Sequence, residues 1–204
     1  MGEGASDVER RAVMAEKIVD DGVIAACQRG DREAFRLLFE TYQDRVFSIA
    51  LYSLGGDETL AKDVAQQVFL KLMTGIKQFR REAEFTTWLY RLVVNACMDE
   101  HRKRRRFLPF ADFQNLDERA VSKRDEEEVY ARTEISGAVH GAIMRLKPKL
   151  RMPILLKYIQ GLSYEEIADV LSCSTGTVAS RLNRGHKVLA RKLGHLRNVS
   201  FEGE

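Results

Sequence analysis

The chain has few of the residues that stabilise secreted or metal-binding domains. Among its 204 residues are three cysteines, Cys27, Cys97 and Cys173, which lie far apart and form no C-x-x-C pair. An odd number of isolated thiols, without histidines at ligand spacing, supports neither a disulfide framework nor a zinc site. We therefore expect small core thiols, no metal and no cofactor. A redox role for one of them is the alternative, although buried free cysteine is usually inert.

Long apolar runs and catalytic groupings are also missing. No stretch approaches the roughly 20 apolar residues that span a bilayer, and no signal-peptide segment opens the chain. We therefore expect no membrane insertion and a cytoplasmic location. No carboxylate pair, nucleophile with its base or glycine-rich phosphate loop stands out, so no catalytic residue is assigned. An enzyme is the least favoured class of function.

The net charge of only +3 conceals an alternation along the chain. It is −3 for residues 1–78, +4 for 79–106, −4 for 107–135, +8 for 136–197 and −2 for 198–204. Clustered lysine and arginine attract phosphate groups. Two basic segments separated by an acidic one predict two nucleic-acid-facing surfaces with a differently employed connector.

The first basic segment, residues 79–106, combines aromatic residues, one amphipathic helix and a terminal block of cations. Apolar residues recur at helical spacing from Trp88 to Cys97, and Thr86 or Thr87 can cap the helix start. Aromatic rings interleaved with cations suit unstacked bases, because bases stack on rings while cations hold phosphates. From composition alone, the alternative is that the aromatics are core residues and the arginines a solvated helix end. The side chains expected to face outward are Tyr90, Arg91, Asn95 and Asp99.

Residues 79–106 read FRREAEFTTWLYRLVVNACMDEHRKRRR and resemble the promoter-melting segment of the extracytoplasmic-function sigma factors of bacterial RNA polymerase. The family pattern is F-R-G-x-A-x-F-x-T-W-L-Y-R-I-A-x-N-x-x-x-D followed by basic residues. Arg81 stands where the family often has glycine, and Val93 and Val94 occupy a common Ile-Ala pair. The residues that the resemblance assigns to the −10 promoter element are Phe79, Arg80, Arg81, Phe85, Thr86, Thr87, Trp88, Arg91, Asn95, Arg102, Lys103 and Arg104.

Two helices are predicted before this segment. Gly30 and Asp31 indicate a turn and a cap, followed by a core-facing helix of about five turns. Its inward residues are expected to be Phe35, Leu38, Phe39, Tyr42, Val46 and Ile49. Asp57 can cap the next helix, in which apolar residues recur every four positions from Leu60 to Leu72.

The polar face of that second helix is a solvated surface on pattern alone. It is similar to the family segment D-x-x-Q-E-x-F-L, which docks onto the clamp coiled coil of the polymerase's largest subunit. Gln67 replaces the usual acid, which weakens one ion pair. The residues that the resemblance assigns to polymerase binding are Asp63, Gln66, Gln67, Phe69 and Leu70.

The second basic segment predicts a helix-turn-helix. Ser163 and Glu166 have the spacing of a capping box, a short turn covers residues 172–175, and small Ala168 lies where two helices must approach. The second helix of such a motif enters the major groove, where arginine pairs with guanine and asparagine with adenine. The alternative is a bundle corner with a charged face.

This segment resembles the family's −35-reading domain, L-S-Y-E-E-I-A-x-x-L-G-C-P-x-G-T-V-x-S-R-L-x-R-A. Ser172 replaces a turn glycine at a position that favours positive φ. Ser174 replaces the proline, Ala179 a frequent base-contacting cation, and Gly185 the alanine. The residues assigned to the −35 element are Thr175, Thr177, Ser180, Arg181, Asn183, Arg184 and Lys187.

We therefore expect an all-α protein of two helical domains joined by a linker that becomes helical near its end. The expected divisions are an extension over residues 1–22, a polymerase-binding and −10 domain over 23–106, a linker over 107–135, a helix-turn-helix domain over 136–197 and a tail over 198–204.

The resemblance implies a transcription initiation factor. Its implied partners are core RNA polymerase, through the clamp coiled coil and the flap of the second-largest subunit, promoter DNA in duplex and single-stranded form, and an anti-sigma factor. The alternative is a helix-turn-helix transcriptional regulator whose N-terminal domain senses a ligand or dimerises.

Overall fold

A computed structural model describes residues 19–107 and 130–194, and all regular structure in these ranges is helical. The expected all-α class is therefore confirmed. Most of the predicted N-terminal extension, most of the linker and the whole tail lie outside the described residues. The elements are α1 Asp21–Gln28, α2 Arg32–Ser53, α3 Glu58–Gly75, a 3₁₀-helix Ile76–Gln78, α4 Phe85–Phe107, α5 Tyr130–Met144, α6 Pro148–Tyr158, α7 Tyr164–Leu171 and α8 Thr175–Lys192.

Side-chain caps begin these helices where the sequence predicted them. Asp31 caps α2 and Asp57 caps α3, each carboxylate accepting backbone N–H groups of the first turn. Ser163 and Glu166 form the predicted capping box of α7, since each side chain accepts the backbone N–H of the other residue. Each cap satisfies donors that the helix leaves unpaired, which fixes the start of the helix.

The predicted start of α4 is wrong by about one turn. The helix begins at Phe85, and its first backbone bond runs from the Trp88 N–H to the Glu84 carbonyl. Thr86 and Thr87 therefore lie inside the first turn. Thr87 is only 7% exposed, so its side chain is packed in the core rather than placed at a cap.

Two described residues other than glycine have a left-handed backbone, Arg81 with φ of 58° and Ser172 with φ of 49°. Both stand where the family pattern has glycine. The strain expected at Ser172 is thus present, and Arg81 carries the same feature. A side chain in this region is less favourable than glycine by about 1 kcal/mol or more, so neighbouring contacts must hold each residue there.

The two halves of the chain share one continuous core. In the first half, α2, α3 and α4 bury residues such as Leu38, Val68 and Leu89, each 0% exposed. In the second half, α6, α7 and α8 pack around residues such as Ile167 and Val178, also 0% exposed. Helices α2 and α4 also pack against α5, α6 and α7, so the halves contact each other directly.

A buried arginine links the ends of two helices across this contact. Arg151, 2% exposed, donates from Nη1 to the Ser53 carbonyl of α2 at 2.7 Å. It also donates to the carbonyls of Met144 and Leu146 at the end of α5. The terminal carbonyls of a helix lack partners within it and carry partial negative charge, so one guanidinium satisfies the ends of two helices.

The first helix of the helix-turn-helix lies against α4. The Tyr90 hydroxyl donates to Gln160 Oε1 at 3.1 Å, and Arg91 Nε donates to the Asp169 carbonyl at 2.7 Å. Tyr90 was predicted to face outward but is 2% exposed, because the second half of the chain covers it. Phe39, which was predicted to face inward, is 39% exposed.

Candidate polymerase and promoter interfaces

An apolar groove of about 560 Å³ lies between α2 and α3. Leu70 and Met73 stand open on its edge at 53% and 51% exposure. Phe69 is 7% exposed, and its ring packs edge-on against Phe39 at 4.7 Å, so it forms a wall of the groove. The residues that line the groove are Phe35, Phe39, Gln43, Asp44, Phe47, Lys62, Ala65, Gln66, Phe69, Leu70 and Met73.

A polar stripe borders this groove along α3. Asp63, Gln66 and Gln67 are all exposed, as the sequence predicted. The stripe and the groove together form one surface of exposed apolar side chains with polar groups at its edge, which is typical of protein-binding sites. Sequence reasoning missed Phe39 and Met73. The i, i+4 spacing of Phe35 and Phe39 indicated a stripe but not that its end was open.

The predicted −10 site rests on a packed aromatic cluster. The rings of Phe79 and Phe85 meet edge-on at 5.7 Å, and Trp88 lies 5.3 Å from Phe79 and 5.9 Å from Phe85. Phe79 is 9% and Phe85 6% exposed, so in this structure both support the site from beneath rather than offer a stacking face. Trp88 is only partly buried and is the ring of the cluster best placed to meet a base.

Several cations assigned to the −10 element already have partners. Arg102 pairs with Asp99 at 2.8 Å, and Lys103 pairs with Glu100 at 3.3 Å. Such exposed pairs contribute about 0–1 kcal/mol each, so phosphate groups can compete for these cations. Arg80 and Asn95 are exposed, whereas Arg91 is held by the Asp169 carbonyl.

Arg104 is tied to the start of α3. Its Nη2 donates to Asp57 Oδ2 at 2.7 Å, while Asp57 Oδ1 accepts the Leu60 N–H of the cap. Burial alone would raise the pKa of Asp57, but the cap bond and Arg104 together hold that pKa below its ordinary value. The cap and the ion pair therefore both stabilise the ionised carboxylate.

The predicted −35 face lies on the outside of α8. Val178 and Leu182 are buried at 0% and 1% exposure, which turns the opposite side of the helix to solvent. Thr177 bonds with the N-cap Ser174, and Arg181 Nη1 lies 3.8 Å from Cys173 Sγ, so both are partly committed within the motif. The assigned residues that are fully exposed are Thr175, Ser180, Asn183, Arg184 and Lys187.

Gly185 brings the recognition helix close to α6. A Cβ at this position would lie 3.2 Å from Ile154 Cγ1 and 3.3 Å from Ile154 Cδ1. The alanine of the family pattern would therefore need the Ile154 side chain to move by a few tenths of an ångström, which glycine does not.

The thiols behave as the composition predicted, except for one. Cys27 and Cys97 are buried at 4% and 0% exposure. Burial raises the pKa of the Cys97 thiol to about 12, and burial followed by the charge of Asp31 raises the pKa of Cys27. Cys173 is partly exposed at the end of α7.

Comparison with known proteins identifies both halves. The family description Sigma-70 region 2 matches residues 38–107, and Sigma-70, region 4 matches residues 136–189. The RNA polymerase sigma-H factor of Pseudomonas aeruginosa is 34% identical over 181 residues, which cover 85% of this chain and 93% of that protein. The ECF RNA polymerase sigma-E factor of Escherichia coli K12 is 34% identical over 188 residues, 88% of this chain and 97% of that protein.

The chain belongs to the extracytoplasmic-function sigma factors of the sigma-70 family. It is therefore a transcription initiation factor. The alternative of a simple helix-turn-helix regulator is not favoured. The first half of the chain matches sigma-70 region 2, and the sigma-factor relatives are matched over nearly their whole length.

Solved structures agree with this membership. The structure of CnrH in complex with the cytosolic domain of CnrY is 25% identical with a TM-score of 0.62, covering 87% of this sigma factor and 98% of CnrH. RpoE of Bartonella quintana, solved with the anti-sigma factor NepR, shows the same fold at 24% identity and a TM-score of 0.61. The match covers 78% of this chain and 96% of RpoE. In residues 19–107 and 130–194 of the present chain, no helix is long and apolar enough to cross a membrane.

Proposed function

We propose that three separate surfaces of this sigma factor divide the work of promoter recognition. The α2–α3 groove with the polar stripe of α3 binds core polymerase. The loop of residues 79–84 and the exposed side of α4 capture the −10 element, and the outer face of α8 reads the −35 element. The protein acts by binding in the cytoplasm, where it has no catalytic step of its own.

The open apolar groove is the observation that carries the polymerase assignment. Leu70 and Met73 are each about half exposed, although a chain that worked alone would gain by burying them. Asp63 and Gln66 lie beside them as polar anchors. A helical hairpin such as the clamp coiled coil can place apolar side chains in this groove and polar ones along the stripe.

The promoter assignments are supported by charge and exposure. On α8, Asn183, Arg184 and Lys187 are exposed on the side opposite the buried Val178 and Leu182. Arginine and asparagine can make paired hydrogen bonds with base edges, and lysine a contact with the backbone phosphates. On α4, Trp88 and Asn95 provide the partly exposed ring and the amide.

A protein inhibitor is a further partner that we infer. The CnrH structure, which covers most of this chain, was solved with the cytosolic domain of CnrY. An anti-sigma factor that covers the α2–α3 groove would block polymerase binding directly. The C-terminal half is the part that we assign to the flap of the second-largest subunit.

The experiment that tests the function is transcription from a promoter library with purified core polymerase and the full-length chain, followed by sequencing of RNA starts. We expect a discrete set of starts that share −10 and −35 sequences and vanish without the chain. Starts that do not depend on the added chain would refute the proposal.

The groove is tested by the double variant Leu70→Ala with Met73→Ala. Loss of two exposed anchors should weaken core-polymerase binding about tenfold, as expected for truncating central interface residues. Lys71→Ala is the matched control, because Lys71 is exposed on the same helix but does not line the groove. Equal affinity of the double variant and the control would exclude the groove as the docking surface.

A further inference from the structure

Helix α1 precedes the residues matched to region 2, which begin at position 38, yet it contacts the loop assigned to the promoter. Gln28, the last residue of α1, donates from Nε2 to the Ile76 carbonyl at 3.1 Å and to the Phe79 carbonyl at 2.9 Å. One amide group thus holds both ends of the 3₁₀-helix that leads into residues 79–84.

A second connection comes from Arg81 within the loop. Its Nη2 donates to the Asp21 carbonyl at 3.0 Å, and its Nη1 lies 3.2 Å from Asp21 Oδ2. The Arg81 backbone is left-handed with φ of 58°, a conformation that a residue with a Cβ rarely adopts unaided. The contacts with Asp21 offset the energetic cost of this backbone conformation.

Helix α1 is itself fixed to the core. Ile24 and Cys27 are each 4% exposed and belong to the main apolar cluster, and Asp20 caps the helix through the Val23 N–H. The helix is therefore a firm support, and whatever it holds is positioned relative to the whole first half.

We propose that α1 is a brace that sets the conformation of the −10 loop, with Gln28 and Arg81 as positioning residues. The inference rests on the proposed function of this loop. Because Gln28 fixes the Phe79 carbonyl, it also fixes the ring of Phe79, which packs 5.3 Å from Trp88. The brace thereby holds the partly exposed indole in the orientation in which it receives the unstacked base.

The inference changes the role of Arg81, which the sequence assigned to DNA contact. If Arg81 bound phosphate, Asp21 would compete with DNA for it, and Asp21→Ala would leave DNA binding unchanged or strengthen it. If Arg81 acts through the brace, Asp21→Ala and Arg81→Ala weaken promoter capture in the same direction. Adding Asp21→Ala to Arg81→Ala then adds little, because Arg81→Ala already removes the ion pair together with the bond to the Asp21 carbonyl.

The test uses the full-length chain with core polymerase, on a duplex promoter identified from the library and on the same promoter with a pre-melted −10 region. The variants are Asp21→Ala, Arg81→Ala, their combination, and Gln28→Glu, which keeps the shape of the side chain but cannot donate. The matched control is Glu33→Ala, because Glu33 pairs at 2.7 Å with Arg36 on an exposed turn of α2.

We expect the rate of open-complex formation on duplex to fall about threefold to tenfold in Arg81→Ala and Gln28→Glu, the range for loss of one or two hydrogen bonds. Asp21→Ala removes only the exposed ion pair, so its loss should be smaller, up to about fivefold. The loss should be smaller on pre-melted DNA, Arg81→Lys should restore part of it, and the melting temperature should stay close to that of Glu33→Ala. A gain in DNA binding by Asp21→Ala, or equal losses on both templates with a lower melting temperature, would overturn the proposal. Brace variants that form open complexes at the same rate as Glu33→Ala would also overturn it. A wild-type chain that starts no transcripts would instead refute the proposed function.

Discussion

The two helices assigned to promoter DNA carry similar charge but differ in how open they are. On helix α4, Tyr90 bonds with Gln160 before α7 and Arg91 with Asp169 within α7, so part of the polar side is occupied by the second half of the chain. Helix α8 packs on α5, α6 and α7 and turns Asn183, Arg184 and Lys187 to solvent. Charge patterning predicted both surfaces in the same way, but packing between the halves leaves α8 more exposed than α4.

This difference implies an order of events. The α8 face can meet duplex DNA as the structure stands, whereas Arg91 can reach DNA only after leaving the Asp169 carbonyl. If α4 captures the −10 element as we propose, we expect the contacts that join the halves to compete with DNA for these side chains and so to restrain −10 binding.

The largest expected effect comes from Arg151→Ala. Loss of this residue should weaken the contact between the two halves and so remove the difference in exposure between α4 and α8. Hydrogen bonds from this buried guanidinium reach the carbonyls of Tyr52, Ser53, Met144 and Leu146, and its loss removes a donor from each of them in a low-dielectric site. A buried acceptor that loses its donor costs about 1–3 kcal/mol, and several acceptors are affected here. Urea unfolding should show this loss, and small-angle scattering should show a larger radius of gyration.

Arg145→Ala is the matched control for that experiment, because Arg145 lies just before α6 but is exposed. The control should change the free energy of unfolding by less than about 0.5 kcal/mol. If Arg151→Ala behaves like the control in both measurements, the guanidinium does not join the halves.

The next largest effect is expected on the exposed helix α8, where it separates base reading from phosphate contact. Arg184→Ala should remove about 1–3 kcal/mol of discrimination at one or two −35 base pairs, because arginine reads guanine through paired hydrogen bonds. Lys187→Ala should instead weaken all sequences alike and lower the salt slope by about one unit. Binding to every single-base variant of the −35 site measures both. A uniform loss for Arg184→Ala, with an unchanged preference profile, would contradict these roles.

A smaller effect should come from weakening the contact between α4 and the second half of the chain without substituting any residue of α4. Gln160→Ala removes the acceptor of the Tyr90 hydroxyl while leaving every residue of α4 in place. One neutral hydrogen bond contributes about 0.5–1.5 kcal/mol, so binding of free protein to single-stranded −10 DNA should rise about twofold to tenfold. Binding to −35 duplex should not change. A fall in −10 binding would show that closure assists rather than restrains capture.

The smallest effect concerns the basic end of α4. The folded-state pKa of Asp57 lies below the ordinary pKa of about 3.9 for an aspartate. The stability that the ionised carboxylate contributes is therefore fully present above the ordinary pKa and is lost as the pH falls through the folded-state pKa. Arg104→Ala should reduce this acid sensitivity by less than about 1 kcal/mol, because the pair is one-third exposed. Stability curves between pH 7 and pH 2 provide the measurement, and identical curves would exclude the ion pair as a cause.

Local signals in the sequence predicted most of the helices and the exposure of Ser180, Asn183, Arg184 and Lys187 on α8. Caps such as Asp31 and Ser163 and apolar spacing within one helix need no knowledge of distant residues. The failures are non-local: Tyr90 is covered by Gln160, which lies 70 residues further along the chain. Phe39 is open because the groove beside it has no occupant from the described residues of this chain. The exposure of the side chains on α4 was therefore harder to predict than that of the side chains on α8.

The missing methyl group at Gly185 limits how promoter specificity could be transplanted. A recognition helix borrowed from a relative with alanine here would bring its Cβ to about 3.2 Å from Ile154 Cγ1. Either the isoleucine side chain shifts by a few tenths of an ångström or the borrowed helix does, and a shift of the helix moves every exposed side chain that we assign to the −35 element. A functional chimera should therefore exchange position 185 together with position 154, as a pair, rather than α8 alone.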